Sequence, residues 1–310
     1  MKRMLFIYNP YSGKGKLLPK LGQIIDIFVK GGYLVEVYPT QGPRDAVKKA
    51  SKASKRFDVV TCCGGDGTLD EVVTGMVKGD RDFVIGYIPV GTTNDYATSL
   101  NISKDIVEAA EDIVLGKPYA YDVGHFNDGI FVYVAAFGLF SDVSYATAQH
   151  FKKALGHVAY VLQGIKSLTD VKSYKMKITI DDTVYEDEFI YGMVTNSVSV
   201  GGFKNLTGSN VQLDDGLFEV TFIRKPKNVF EMQEIVASLL IEEDKTDLII
   251  SCKTESVLIE AENEVAWSLD GEFGGNIKDV FIRNEKQRMR IIQNKATDEE
   301  LLLQFGENTL

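Results

Sequence analysis

Gly64, Gly65 and Gly67 surround a single carboxylate, Asp66, in the stretch Cys63-Gly64-Gly65-Asp66-Gly67-Thr68-Leu69-Asp70-Glu71. Glycine tolerates positive φ and lets a bulky ligand approach the main chain. Before the stretch, Phe57 to Cys62 is apolar and β-branched, as in a buried parallel strand. After it, Leu69, Val72, Val73 and Met76 recur at helical spacing. The glycines therefore fall at a strand-to-helix turn, with Thr68 as the expected N-cap and Asp70 and Glu71 in the first turn. The N–H groups exposed at a helix start bind anions, phosphate above all. Asp66 would repel phosphate unless a metal lay between them, which points to a Mg2+-nucleotide. A lone glycine turn is equally well explained by chain geometry, so further chemistry is needed to decide.

Two more polar loops follow apolar strands. Asn9-Pro10-Tyr11-Ser12-Gly13-Lys14-Gly15-Lys16 comes after Met4 to Tyr8. In it Asn9 and Ser12 can hydrogen-bond phosphate, and Lys14 or Lys16 can neutralise it. Pro89-Val90-Gly91-Thr92-Thr93-Asn94-Asp95 comes after Phe83 to Ile88. There Gly91 permits close backbone approach, Thr92 and Asn94 can hold phosphate or ribose, and Asp95 can cap a helix or join a charge network. Loops at the carboxyl ends of strands are where open α/β sheets bind ligands. Late in the chain, Asp270-Gly271-Glu272 reads either as a hairpin turn or as two carboxylates at a loop tip. Phosphoryl transfer needs a group to orient and deprotonate the attacking hydroxyl, commonly a carboxylate.

The elements that must position these residues divide into two halves. Strands Met4–Tyr8, Leu34–Tyr38, Phe57–Cys62 and Phe83–Ile88 alternate with helices over Leu17–Val29, Arg44–Ser54 and the stretch after Gly67. That alternation predicts a parallel sheet with helices on both faces. From Ala120 to Ile292 short apolar runs and turns dominate, which predicts an antiparallel β domain. Asn127-Asp128-Gly129 and Asp181-Asp182 are its hairpin signals, and Tyr145–Leu168 and Val229–Ile241 its helical insertions. The predicted boundary lies near Phe126. Phe151, Leu155, Val158, Leu162 and Ile165 form one helical face, with Lys152, Lys153 and Lys166 off it. That face suits packing on the β domain, or contact with an anionic membrane. Thr297 to Leu310 reads as a short capped helix.

The net charge of -10 and pI near 5.0 argue against a nucleic-acid partner. The three cysteines, Cys62, Cys63 and Cys252, have neither metal spacing nor a disulfide framework, as expected in a reducing cytosol. The apolar run at the start ends by Tyr8, too short for a signal peptide, and no run of 18 apolar residues suggests a membrane span. The expectation is a cytoplasmic protein.

Taken together, Gly-Gly-Asp-Gly-Thr-Leu-x-Glu over 64–71, Asn-Pro-x-Ser-Gly over 9–13 and Pro-x-Gly-Thr-x-Asn-Asp over 89–95 resemble the diacylglycerol kinase catalytic-domain family. Asp-Asp-Gly over 214–216 and Asp-Gly-Glu over 270–272 extend the resemblance along nearly the whole chain. The family includes bacterial lipid kinases and is distantly related to NAD kinases. Its bacterial pattern carries Asn where this chain has Asp70.

The resemblance implies an NAD kinase-like α/β domain over 1–125, completed by about 293–310, and an antiparallel β-sandwich over 126–292. It implies an ATP-dependent kinase acting on diacylglycerol or a related lipid alcohol in the cleft between domains, at the membrane surface. Its nucleotide site would comprise Asn9, Ser12, Lys16, Gly64, Gly65, Asp66, Gly67, Thr68, Gly91, Thr92, Asn94 and Asp95, joined by Pro10, Gly13, Thr40, Glu71 and Asp122. Asp122 would belong to a charge network with Asp66. Asp66, Asp270 and Glu272 would be catalytic, with Asp270 favoured as hydroxyl acceptor and Glu272 as metal partner or alternative base. A structural Mg2+ would take a carboxylate from Asp215 and main-chain oxygens from Gln212 and Leu217. A homodimer is compatible with this reading. Two rivals remain at this point: an NAD kinase-like enzyme acting on a small molecule, and a non-catalytic lipid or nucleotide sensor.

Overall fold

The computed structural model describes residues 1–53, 56–79, 83–139, 172–198, 211–240 and 246–295. β1 (Lys2–Tyr8) is buried on both faces, as a central parallel strand must be. Its Leu5 and Ile7 join one apolar layer with Ala46, Ala50, Leu69 and Val72, while Met4 and Phe6 join another with Ile24, Phe28 and Ile113. β2 (Tyr33–Pro39), β3 (Val59–Gly64) and β4 (Val84–Pro89) complete a parallel sheet in the order β2-β1-β3-β4. Neighbouring Cys62 and Cys63 on β3 fall into opposite layers, the period of two that a strand imposes.

α1 (Leu21–Lys30) and α5 (Ile106–Leu115) cover one face; α2 (Asp45–Ser51) and α3 (Asp66–Lys78) cover the other. A five-residue helix, α4 (Asp95–Ser99), follows the loop after β4. Two helices are shorter than expected. The expected helix over Leu17–Val29 begins as a 3-10 turn at Leu18–Lys20, where Pro19 sits in a first turn that needs no proline N–H. α2 starts one residue late because Arg44 is left-handed, at φ 60°.

The second half is antiparallel. β5 (Lys117–Phe126) turns at Asn127, φ 50°, into β6 (Gly129–Phe131), and β7 (Val134–Gly138) follows. β8 (Tyr174–Ile180) and β9 (Thr183–Thr195) are joined by Asp181-Asp182, with Asp181 at φ 50°. Both expected hairpins are therefore present. β10 (Phe218–Arg224), α6 (Val229–Leu240), β11 (Ile249–Thr254), β12 (Ser256–Leu269) and β13 (Glu272–Gln293) follow. The amphipathic segment over 151–168 and the tail helix over 297–310 lie outside the described residues. Among those described, no helix is long and apolar enough to cross a membrane.

β13 joins the halves. It pairs antiparallel with β12 from Glu272 to Arg283, and near its end Arg290 and Ile291 pair parallel with β4 at Val84 and Ile85. Along its length it also pairs with β5 from Ile282 to Gln293. The sandwich core is aromatic: Trp267, 1% exposed, meets Phe126 and Phe137 edge-on at 5.0 and 4.9 Å. Trp267→Ala should lower unfolding free energy by about 3–5 kcal/mol, the usual loss for a large aromatic removed from a close-packed core. Urea unfolding followed by circular dichroism checks this; an unchanged midpoint would mean the sandwich does not rest on that cluster.

Candidate active site

The loops after β1, β3 and β4 meet at their strands' carboxyl ends, and glycine is what lets them meet. A Cβ on Gly91 would stand 2.6 Å from Gly65 Cα, and one on Gly13 would stand 2.2 Å from the Val90 carbonyl oxygen. These are main-chain contacts that no side-chain adjustment can relieve. Asn94, left-handed at φ 53°, closes the loop after β4: its Oδ1 accepts the Gly91 N–H at 2.8 Å and its Nδ2 donates to Gly91 O at 3.0 Å. Asn9 holds the first loop by accepting the Tyr11 N–H at 2.9 Å. The first loop then passes through left-handed Gly13, Lys14 and Gly15. Ser12 is half-buried, whereas Lys16 and Thr92 are exposed. Pro10 is half-buried in the same loop, and Thr40 is buried, its N–H donating to Tyr8 O at 2.9 Å.

Thr68 is not the N-cap. α3 starts at Asp66 with Gly65 as its cap, so Asp66, rather than Asp70 and Glu71, is the acid of the first turn. The glycines carry the strand straight into the helix, and Thr68 lies inside it, its side chain 2.4 Å from where a Cβ on Gly64 would be. Asp66 spans to the neighbouring loop. Its carboxylate accepts the N–H groups of Asp95 and Tyr96 at 3.2 and 3.4 Å, at the start of α4. Burial, then the Asp95 charge, pushes Asp66 up to about 6 against those bonds. Asp95 itself is buried and follows the cap position, which Asn94 takes.

Glu71 points the other way. Its two oxygens accept the N–H groups of Arg44 and Ala46 at 2.7 and 3.1 Å, so it caps α2 from a distance.

Asp270-Gly271 is the two-residue turn of the β12–β13 hairpin, with φ 50° and 82° and Leu269 paired to Glu272. The hairpin and the pair of carboxylates are thus one object. Asp270 is buried, and its oxygens accept three successive N–H groups, Val132 at 2.6, Tyr133 at 2.9 and Val134 at 3.0 Å. Burial still pushes it up to about 6. Asp70, on α3, faces Asp270 in hydrogen-bonding contact, and burial followed by the Asp270 charge raises it well above the usual carboxylate range. No N–H or O–H donor reaches Asp70 Oδ1, which is buried. The one signal for this contact in the residue types is the Asp at a position where the family pattern has Asn.

Glu272 remains the open carboxylate. It is exposed, and its Oε1 lies 2.6 Å from where a Cβ on Gly67 would be, over the first turn of α3. Its acidity is weakened by burial and the Glu71 charge, and partly restored by Arg44, a neighbour that its position far along the chain concealed. A cavity of about 230 Å³ opens beside it, lined by Arg44, Thr74, Lys78, Ile130 and Phe273.

Asp122 stands apart from this group. Its carboxylate accepts Gly216 N–H at 2.7 Å, Gln287 N–H at 2.7 Å and Asn284 Nδ2 at 3.2 Å, and no described hydrogen bond joins it to Asp66. The expected Asp66–Asp122 network is thus replaced by a clasp on the 212–217 turn, because β5 delivers Asp122 opposite an irregularity in β13.

The two regions differ as cation sites. Around α3, Asp66, Asp70, Asp270 and Glu272 influence one another electrostatically and Asp70 keeps an unpartnered buried oxygen, but among the described residues no three carboxylates are placed to hold a metal by themselves, so a cation there would have to be shared with a nucleotide's phosphates. At the 212–217 turn the fit fails. Asp215 Oδ1 accepts Leu217 N–H at 2.9 Å, and its Oδ2 faces the Lys253 ammonium at 3.4 Å.

Residues 3–126 match the family model for the diacylglycerol kinase catalytic domain. Residues 134–292 match that for the YegS C-terminal NAD kinase beta sandwich-like domain. The chain is 33% identical to a diacylglycerol kinase of Bacillus subtilis (strain 168), over 97% of this chain and 99% of that one. It is 32% identical to a diacylglycerol kinase of Staphylococcus aureus (strain MRSA252), over 97% and 96%. A crystal structure of a diacylglycerol kinase from Bacillus anthracis str. Sterne superposes with a TM-score of 0.73 at 25% identity, over 94% of this chain and 97% of that one.

Glu71→Ala should uncap α2 and cost about 1 kcal/mol, the usual loss of a capping side chain. The denaturation midpoint reads this directly, and a midpoint equal to wild type would show that water satisfies those N–H groups.

Proposed function

The chain belongs to the diacylglycerol kinase catalytic-domain family, a family of kinases, and on that premise we propose that it phosphorylates the hydroxyl of diacylglycerol or a related lipid alcohol with ATP. With diacylglycerol the product is phosphatidic acid. The observation that carries the reading is the overlap of Glu272 with the first turn of α3, across from the glycine loops. The loops offer main-chain N–H groups and close approach for the ATP phosphates, and the helix start favours their charge. Lys16, Ser12 and Thr92, on the same loops and not fully buried, would contact the same phosphates. Mg2+ bound among the carboxylates around α3 would neutralise and align the phosphates.

The acceptor hydroxyl enters from the cavity beside Glu272. Its oxygen attacks the γ-phosphorus as the bond to the ADP oxygen breaks, and its proton passes to the Glu272 carboxylate. We assign the base to Glu272 rather than Asp270. Asp270 has its oxygens committed to three N–H groups and to Asp70, and its part is to fix the turn that aims Glu272. Asp66 ties the α3 and α4 loops into one floor. A lipid substrate implies action at the membrane surface, as a peripheral protein of the cytoplasm.

Glu272→Gln should lower kcat by about 10²–10⁴-fold with little change in KM for ATP, as expected for loss of a general base. The base works only when ionised. Because the folded protein raises the Glu272 pKa, wild-type kcat should fall as pH drops through a value above the ordinary glutamate range, and the Gln variant should lose that limb. Labelled ATP with vesicles containing diacylglycerol, other lipid alcohols or NAD separates the readings. Transfer to NAD alone, or none to any acceptor despite ATP binding, would overturn the lipid kinase assignment.

A further inference from the structure

The turn at 212–217 is held by charge from within the chain. Glu219 on β10 and Lys253 on β11 are direct cross-strand partners, so their side chains stand on the same face. The Lys253 ammonium lies 3.0 Å from Glu219 Oε1 and 3.4 Å from Asp215 Oδ2. The three side chains are 33%, 9% and 18% exposed, shielded enough for their charges to matter. Asp215 returns its other oxygen to the Leu217 N–H. A divalent cation on Asp215 would therefore have to displace an ammonium already seated between two carboxylates, or stand against it as a like charge.

We propose that Lys253 serves as the cation of this turn, bridging Asp215 and Glu219, so that the turn keeps its shape without a bound metal. The role reaches beyond the turn. Leu213 O accepts the Asp122 N–H at 2.9 Å, Gly216 N–H donates to Asp122, and Gln287 Nε2 donates to Asp214 O at 3.2 Å. Through these bonds the turn supports β5 and β13, the strand that begins at Glu272. Metal dependence of the enzyme would then come from its nucleotide alone. The inference concerns structure and does not depend on which alcohol is phosphorylated.

The test uses the full chain without nucleotide and reads thermal unfolding in EDTA and in millimolar MgCl2, for wild type, Asp215→Asn and Lys253→Met. Any stabilisation by Mg2+ at the α3 carboxylates is common to all three. Wild type and Asp215→Asn should therefore shift equally on adding Mg2+. Lys253→Met should melt about 1.5–3 °C lower in EDTA, the scale of a 1–2 kcal/mol loss in a chain of this size. It should also recover part of that with Mg2+ beyond the common shift, since two carboxylates now lack their cation. A larger Mg2+ response in wild type than in Asp215→Asn overturns the proposal. So does a Lys253→Met variant with wild-type melting and no extra Mg2+ response. If Lys253→Met does not fold, the comparison of wild type with Asp215→Asn still decides.

Discussion

The hydrogen-bond ladder of β13 is the constraint on which the site depends. One strand runs from Glu272, at the hairpin turn, to Gln293, passing beside β4 of the parallel sheet at Arg290 and Ile291. Its register with β4 fixes where the second half sits on the first. The same register then sets where Glu272 falls relative to α3, the helix that follows the neighbouring strand β3. The overlap of Glu272 with Gly67 is thus a product of strand pairing and not of a flexible loop. Sites built on regular elements hold their geometry more tightly than sites on loops. Here the two carboxylates of the turn gain that rigidity because Asp270 is bound by three N–H groups of the 132–134 segment.

Stability and activity pull against each other around α3. Asp66, Asp70, Asp270 and Glu272 are all made weaker acids by burial. Burying charge is costly unless it is paired; Asp66 and Asp270 are paired with backbone N–H groups, whereas Asp70 keeps an unpartnered buried oxygen. The compensation lies elsewhere, in two apolar helix layers and an aromatic sandwich core. The second carboxylate region follows a different logic: Asp215 and Glu219 share the Lys253 ammonium, which offsets part of their charge from within the chain.

Much of the architecture was legible in the sequence, for identifiable reasons. The four parallel strands announced themselves as apolar runs ending in polar loops, and the two short hairpins by their Asn and Asp residues. The functional loops were legible because glycine and carboxylate types at such turns have few uses. What escaped was set by contacts between distant positions. Glu71 has the pattern of a first-turn acid, but α2 comes close enough to take both its oxygens. Asp122 has no local signature, and only the β5–β13 pairing shows that it faces the 212–217 turn. Asp270 and Glu272 are two residues apart and chemically alike. Their division of labour follows from which one the 132–134 segment covers. Thr68 has the type of a cap, but Gly65 takes that position and the helix starts at Asp66, which residue preference alone does not reveal.

The interruption in β13 has a mechanical meaning. Between Glu285 and Met289 the pairing with β5 shifts register, and Gln287 takes φ 55°. Elsewhere the strand is laddered to a neighbour, so the halves cannot swing on a loop hinge as two bodies joined by a tether would. Any opening and closing of the cleft has to pass through the sheet as twist. Twist concentrates where the ladder is broken, since bulges bend a strand and deepen its coil locally. Asp122 grips that bulge through the Gln287 N–H and Asn284. It acts as a torsional brake: its two grips set how stiffly the hairpin bearing Glu272 can rock over α3.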